Sequence, residues 1–214
     1  MDTNDVVYVV DDDLAILDSL KWLLESNGYT VLCHHSAEYF LKFLEITDQS
    51  TPSCALIDVR MKGMSGLDLQ EKLLSLGFDF PVSFMTGYAD IPMVSKAFQH
   101  GAIDFIQKPI KKYALLELID RMLVKSHSMK KELLEITRIR EKLETLTRRE
   151  KDVVKHIISG KLNKEIAKVM GIEVKTVEAH RANLMDKLQV NRPTTLLLLL
   201  FRIEQAEVTA INQQ

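Results

Sequence analysis

Cysteine is nearly absent from this chain. Its 214 residues include two, Cys33 and Cys54, each inside an apolar strand-like run. Two such residues exclude a disulfide framework and argue against a thiolate metal centre, so both read as buried free thiols. A long apolar run is missing as well: the longest, Leu196 to Phe201, is far too short to span a bilayer. The start, Met1-Asp2-Thr3-Asn4-Asp5, lacks the basic character of a signal peptide. A cytoplasmic protein with no membrane partner is expected. Internal repeats and low-complexity segments are also missing, apart from Leu196–Leu200. Strong net charge is absent too, at −2 overall, but the balance is uneven. Residues 1–125 carry 11 Lys and Arg against 18 Asp and Glu, whereas residues 126–214 carry 17 against 12. An acidic half joined to a basic half implies two domains with different partners, nucleic acid being a candidate for the second.

The first half alternates strand-like and helical patterns. Strand runs occur at Val6–Val10, Thr30–Cys33, Cys54–Ile57, Pro81–Met85 and Ala102–Gln107. Between them lie apolar helix faces, such as Leu14, Leu17, Leu20, Leu23 and Leu24, closed by Asn27-Gly28. Gly77 and Gly101 close two further helices, as glycine does just past a helix end. Five such units imply an α/β fold, a doubly wound parallel sheet with helices on both faces. From Lys125 to Leu146 there is neither Gly nor Pro. Leu133, Ile136, Arg140 and Leu143 fall near a seven-residue repeat there, which reads as a helical linker; a short coiled coil between two copies is the alternative. The expected organisation is residues 1–124, a linker over 125–144, and a smaller all-α domain over 145–214.

The acidic residues of the first half fall at strand ends. Asp11, Asp12 and Asp13 end the run Val6-Val7-Tyr8-Val9-Val10, and Asp58 ends Cys54-Ala55-Leu56-Ile57. Open α/β sheets place their ligands at the carboxyl ends of the strands. There Asp11, Asp12 and Asp58 converge if the first and third strands are neighbours. Like charges so close raise one another's pKa unless a cation is present. Mg²⁺ suits the set, since it takes oxygen ligands and keeps several waters. Thr86 and Lys108 follow the fourth and fifth strands, and a hydroxyl and an ammonium facing such a site suit an incoming phosphoryl group. A carboxylate can then act as nucleophile and become an aspartyl phosphate. Taken singly these residues are ordinary: Asp13 suits a helix start, and an aromatic such as Phe105 usually packs in the core.

In order and spacing, residues 5–125 resemble a bacterial response-regulator receiver domain. The motifs are Val-Val-Asp11-Asp12-Asp13, Leu-Ile-Asp58-Val-Arg60-Met61, Gly63-Met64-Ser65-Gly66-Leu67-Asp68-Leu69, Thr86-Gly87, and Gly101-Ala102-Ile103-Asp104-Phe105-Ile106-Gln107-Lys108-Pro109. The resemblance implies Asp58 as phosphoacceptor. It implies Mg²⁺ held by Asp12, Asp58 and the Arg60 carbonyl, with Asp11 acting largely through water. It also implies Lys108 on the phosphoryl oxygens, Thr86 and Phe105 as switch residues, and a cis Lys108–Pro109 bond. Lys62 stands where many relatives have Pro, so a less rigid turn after Asp58 is expected.

The second half opens on Thr147-Arg148-Arg149-Glu150, a capping box. Its two helices over Asn163–Met170 and Val174–Leu188, the first capped by Asn163, read as a helix-turn-helix. Val177, Leu184 and Leu188 face inward in this reading. Lys175, Glu178, Ala179 and Ala182 lie where a recognition helix meets base edges. Lys164, Lys168, Lys175, Arg181 and Lys187 are candidates for phosphate contacts. The stretch from Leu146-Thr147 to Lys187-Leu188, with Lys175-Thr176-Val177-Glu178-Ala179-His180-Arg181-Ala182-Asn183 at its centre, resembles the LuxR-type DNA-binding domain of the NarL/FixJ regulators, nearest the FixJ branch. Thr176 joins the DNA-facing set on that resemblance, and His180 reads as packing. Glu173 departs from the usual Ser or Thr and weakens a cap. Glu178 is acidic at a base-reading position, where a carboxylate can accept from cytosine N4.

A transcription regulator follows, rather than an enzyme. Its expected partners are a sensor histidine kinase, double-stranded DNA, a second copy on phosphorylation, and RNA polymerase as a further candidate. A Mg²⁺-dependent phosphohydrolase is the rival from another class. Such enzymes usually carry nucleophile and helper carboxylate two residues apart on one strand, and Asp12 and Asp58 are far more distant in sequence. A receiver that works without phosphorylation is the third option.

Overall fold

The structure is a computed structural model that describes residues 5–87 and 91–212, with only the backbone described for Pro193 and residues 204–212. It divides into two compact units, Met1–Lys131 and Glu132–Gln214.

The first unit alternates strand and helix: β1 (Val6–Val10), α1 (Leu14–Glu25), β2 (Thr30–His34), α2 (Ala37–Glu45), β3 (Ser53–Asp58), α3 (Gly66–Ser75), β4 (Val82–Thr86), α4 (Ile91–Gln99), β5 (Phe105–Gln107) and α5 (Lys112–Glu144). The strands form one parallel sheet in the order β2-β1-β3-β4-β5. Alternate side chains enter two cores, as the period of two along a strand requires. Tyr8, Val10, Ala55, Ile57 and Phe84 pack with Phe40, Leu44, Leu69 and Ala97 of α2, α3 and α4. Val7, Val9, Cys54, Leu56 and Met85 pack with Leu17, Leu24, Leu115 and Ile119 of α1 and α5. Both faces are therefore covered, which is why the central strands read as unbroken apolar runs.

Some expectations need correction. Leu14 is 65% exposed, and the buried stripe of α1 is Leu17, Leu20 and Leu24. The fifth strand is shorter than predicted. Ala102 N–H returns to Ala97 O to close α4, and although Ile103 N–H reaches Val82 O at 2.8 Å, the regular ladder opens only with Phe105 opposite Phe84. Cys54 is buried, but Cys33 is only half-buried.

The second unit holds the C-terminal part of α5 with α6 (Arg148–Ile158), α7 (Asn163–Met170), α8 (Val174–Lys187) and α9 (Pro193–Asn212). Val153, Ile157, Ile166, Val177, Leu184, Leu188 and Leu196 make its core. Only part of the predicted linker stripe is covered within the single chain. Leu133 is exposed, Ile139 is buried, and Leu143 packs against this core. Thr147 and Glu150 form the predicted capping box: Thr147 Oγ1 accepts from Glu150 N, and Glu150 Oε2 accepts from Thr147 N. Asn163 is not a cap. The helix already begins there, and Glu165 Oε2 accepts the N–H of Leu162 at 2.8 Å.

Candidate functional sites

β1 and β3 lie side by side with Val10 opposite Ile57, so Asp11, Asp12 and Asp58 leave the sheet together. One ligand atom from each lies within 4.8 Å of the others. Among the described residues they form the one group of three or more potential metal ligands. Asp11 and Asp58 are 1% and 5% exposed. Lys108 arrives from the end of β5 and puts its Nζ 2.6 Å from both Asp11 Oδ2 and Asp58 Oδ1. Its N–H also donates to Thr86 O at 2.8 Å, which ties it to the end of β4. A cis peptide joins it to Pro109.

The surrounding backbone fixes the carboxylates. Asp11 Oδ1 accepts from Asp13 N and Asp58 Oδ2 from Arg60 N, both at 2.9 Å. Asp13 instead caps α1, accepting from Ala15 N and Ile16 N. The turn after Asp58 is held at several points. Lys62 N donates to Asp12 Oδ2, Met64 N to Glu38 Oε1, and Gly66 N to Val59 O. Gly66 has no room for a side chain, since a Cβ would stand 2.2 Å from the carbonyl oxygen of Asp58. The motif glycine was visible in the sequence; the clamp from Glu38 was not, because it crosses 26 residues without a local pattern.

Burial raises the Asp58 pKa, and although Lys108 opposes this, the carboxyl stays above its ordinary value with Asp11 adding repulsion. Burial lowers the Lys108 pKa, but its bonds to Asp11 and Asp58 outweigh that and leave it raised. The pocket thus holds more negative charge than one ammonium satisfies. This excess, with an all-oxygen donor set, fits a small hard cation such as Mg²⁺.

Thr86 is buried at the end of β4. Phe105 is half-buried, with ring centroids 5.2 Å from Phe84 and 5.7 Å from Phe98.

In the second unit, α7 and α8 make the two helices of the predicted helix-turn-helix, with Gly171 in the left-handed region between them. Val177, Leu184 and Leu188 are buried, while Lys164, Lys175, Thr176, Glu178, Ala179 and Ala182 are exposed. Arg181 and His180 are half-buried. Glu173 gives α8 no side-chain cap. Lys187 is placed differently from the other basic residues. Its Nζ lies 2.7 Å from Glu150 Oε2, a carboxylate 3% exposed. Burial alone would raise the Glu150 pKa, but Lys187 and the Thr147 bonds hold it below the ordinary value. Lys187 therefore serves this buried acid, a partnership across 37 residues that no local pattern announces.

An α/β unit with an acid–ammonium site at its strand ends, followed by a helix-turn-helix unit, is the build of a signal-responsive DNA-binding regulator. Residues 7–120 match the family described as response regulator receiver domain, and residues 144–200 match bacterial regulatory proteins, luxR family. Response regulator protein TmoT of Ectopseudomonas mendocina is 38% identical over 96% of this chain and 92% of its own length. Transcriptional regulatory protein FixJ of Rhizobium meliloti is 36% identical over 87% of this chain and 90% of its own length. Among solved structures, response regulator StyR is 36% identical with a TM-score of 0.75, covering 93% of this chain and 99% of that one. Full-length FixJ from B. japonicum is 34% identical with a TM-score of 0.56, over 94% and 97%. The chain belongs to the response regulators that join a receiver domain to a LuxR-type DNA-binding domain. No helix among the described residues is long and apolar enough to cross a membrane.

Proposed function

We propose that Asp58 accepts a phosphoryl group from a sensor histidine kinase, and that the phosphorylated chain dimerises and binds double-stranded DNA to regulate transcription. Residues 1–124 act as receiver, 125–144 as linker and 145–214 as DNA-binding domain in this reading. The observation that carries it is the placement of Lys108 Nζ 2.6 Å from both Asp11 and Asp58, beside Asp12. An Asp58 carboxylate oxygen attacks phosphorus, the bond from phosphorus to the donor histidine breaks, and the imidazole leaves neutral. Lys108 moves from Asp58 to the phosphoryl oxygens. Asp12, Asp58 and the Arg60 carbonyl, with Asp11 through water, would hold Mg²⁺, which neutralises charge on the transferring group. Thr86 then turns to the phosphoryl oxygens and Phe105 moves inward behind it.

On DNA, Lys175, Thr176, Glu178, Ala179 and Ala182 meet base edges, while Lys164, Lys168, Lys175 and Arg181 meet phosphates, with Lys187 doing so from its pairing with Glu150. Two copies on a two-fold site, with RNA polymerase as a further contact, complete the reading.

Acetyl phosphate with Mg²⁺ is expected to add one phosphoryl group to the full chain, detected by intact mass, and Asp58→Asn to abolish the addition. Equal labelling of that variant would remove Asp58 from the mechanism. Sustained release of phosphate over many turnovers would favour the phosphohydrolase instead.

A further inference from the structure

Lys62 stands in the turn after Asp58, and its position there gives it a role. Its backbone N–H donates to Asp12 Oδ2 at 3.3 Å. Its ammonium lies 3.9 Å from the same oxygen, on a side chain 94% exposed. Both positive groups therefore act on one oxygen of one carboxylate. A proline at this position would supply neither, having no N–H to donate and no charge.

Asp12 is the least buried carboxylate of the cluster, with a quarter of its side chain exposed, whereas Asp11 and Asp58 are enclosed and already share Lys108. It is thus the member of the set most open to a cation from solution. Lys108 is anchored through its own backbone to Thr86 and bridges the two inner carboxylates. Lys62 by contrast makes a single long ion pair from a solvent-exposed side chain. One ammonium is built into the site, and the other can leave it.

We infer that Lys62 is a displaceable internal counter-ion for Asp12 that competes with the divalent cation and sets how much Mg²⁺ this receiver needs. The inference rests on the proposed reading of Asp11, Asp12 and Asp58 as the metal-holding set. With the metal absent, the ammonium offsets part of the negative excess. When a divalent ion arrives, the ammonium must move away, because two cations cannot share Asp12 Oδ2 at close range. The competition is electrostatic and solvent-exposed, so it weakens as salt is added.

The test is calorimetric titration of MgCl₂ into the full chain, comparing the wild type with Lys62→Gln, Lys62→Arg and Asp12→Asn. Thermal unfolding of each without metal checks that it folds. A unit charge about 4 Å away in water is worth roughly a fivefold change in an equilibrium constant at most. Lys62→Gln is therefore expected to bind Mg²⁺ about two- to fivefold more tightly at low ionic strength. Lys62→Arg should match the wild type. The gap between Gln and wild type should close near 1 M salt, where screening acts within about 3 Å. Equal affinity of wild type and Lys62→Gln at low salt, or weaker binding by the Gln variant, overturns the inference. Loss of binding in Asp12→Asn alone supports the underlying metal set, so failure of the competition is distinguishable from failure of that set. Absence of Mg²⁺ binding in every protein overturns both.

Discussion

At the scale of single residues, the acidic pocket is a stability cost that function accounts for. The Asp58 carboxyl holds its proton more tightly in the folded chain than in the unfolded one. Between the ordinary carboxylate value and this raised one, folding takes up a proton, so stability falls as pH rises through that window. At neutral pH the ionised form is therefore unfavourable. Asp58→Asn, measured by thermal unfolding without divalent ions, is expected to raise the midpoint at pH 7. The gain should disappear below the ordinary Asp range, where both states are protonated. Lys108→Ala has the opposite sign, because it leaves Asp11 and Asp58 facing each other unpaired. A fully buried pair broken this way costs about 3–5 kcal/mol; with Lys108 about a fifth exposed, roughly 2–3 kcal/mol is expected, partly restored by Mg²⁺. The identity of these residues was legible because carboxylates ending buried strands have few structural reasons to be there. What the sequence did not disclose was their sharing of one ammonium, since the two contacts reach across 97 and 50 residues.

At the scale of elements, α8 shows how a basic helix divides its charges. Lys175 is exposed, while Lys187 is committed to Glu150 on α6. Helical spacing separates the buried Val177, Leu184 and Leu188 from the outer face, and that much could be read in advance. The pairing of Lys187 with Glu150 could not, because it spans 37 residues without a local pattern. Lys187→Ala is expected to destabilise the second unit by about 2 kcal/mol in urea unfolding, with Glu150 left in a buried position. Lys175→Ala should leave stability unchanged and lower the slope of log affinity against log salt by about one, the mark of one lost phosphate contact. The extension of α5 is a second case. Ser126 Oγ accepts the buried N–H of Ser53 at 2.9 Å, His127 meets Asp5 at 2.9 Å, and Lys130 donates to Gln49 O. These contacts fasten the helix to the amino-terminal end of the sheet beyond residue 124, where the apolar helix pattern fades. Ser126→Ala strands the Ser53 N–H and is expected to cost about 1–2 kcal/mol in the same unfolding assay.

At the scale of the whole molecule, the acidic and basic halves seen in composition became an acid-lined α/β unit and a helix-turn-helix unit. That division was legible because the first half alternates short apolar strand runs with helical patterns, whereas the second half is helical throughout. A phosphoryl group adds charge at a site within the first unit, whereas DNA affinity is generated in the second. A single helix-turn-helix unit offers few phosphate-facing cations, so its affinity alone is low and salt-sensitive. Joining two copies makes the second DNA contact effectively intramolecular, worth on the order of a hundredfold without any new contact to a base. The full chain treated with acetyl phosphate and Mg²⁺ should therefore shift a two-fold DNA site at about a hundredfold lower concentration than the untreated chain. Its salt slope should be steeper, because two units rather than one neutralise phosphates. Asp58→Asn should bind with the untreated affinity under both conditions. Equal affinity of the treated and untreated wild type would uncouple the acidic pocket from the basic helices while leaving DNA binding intact.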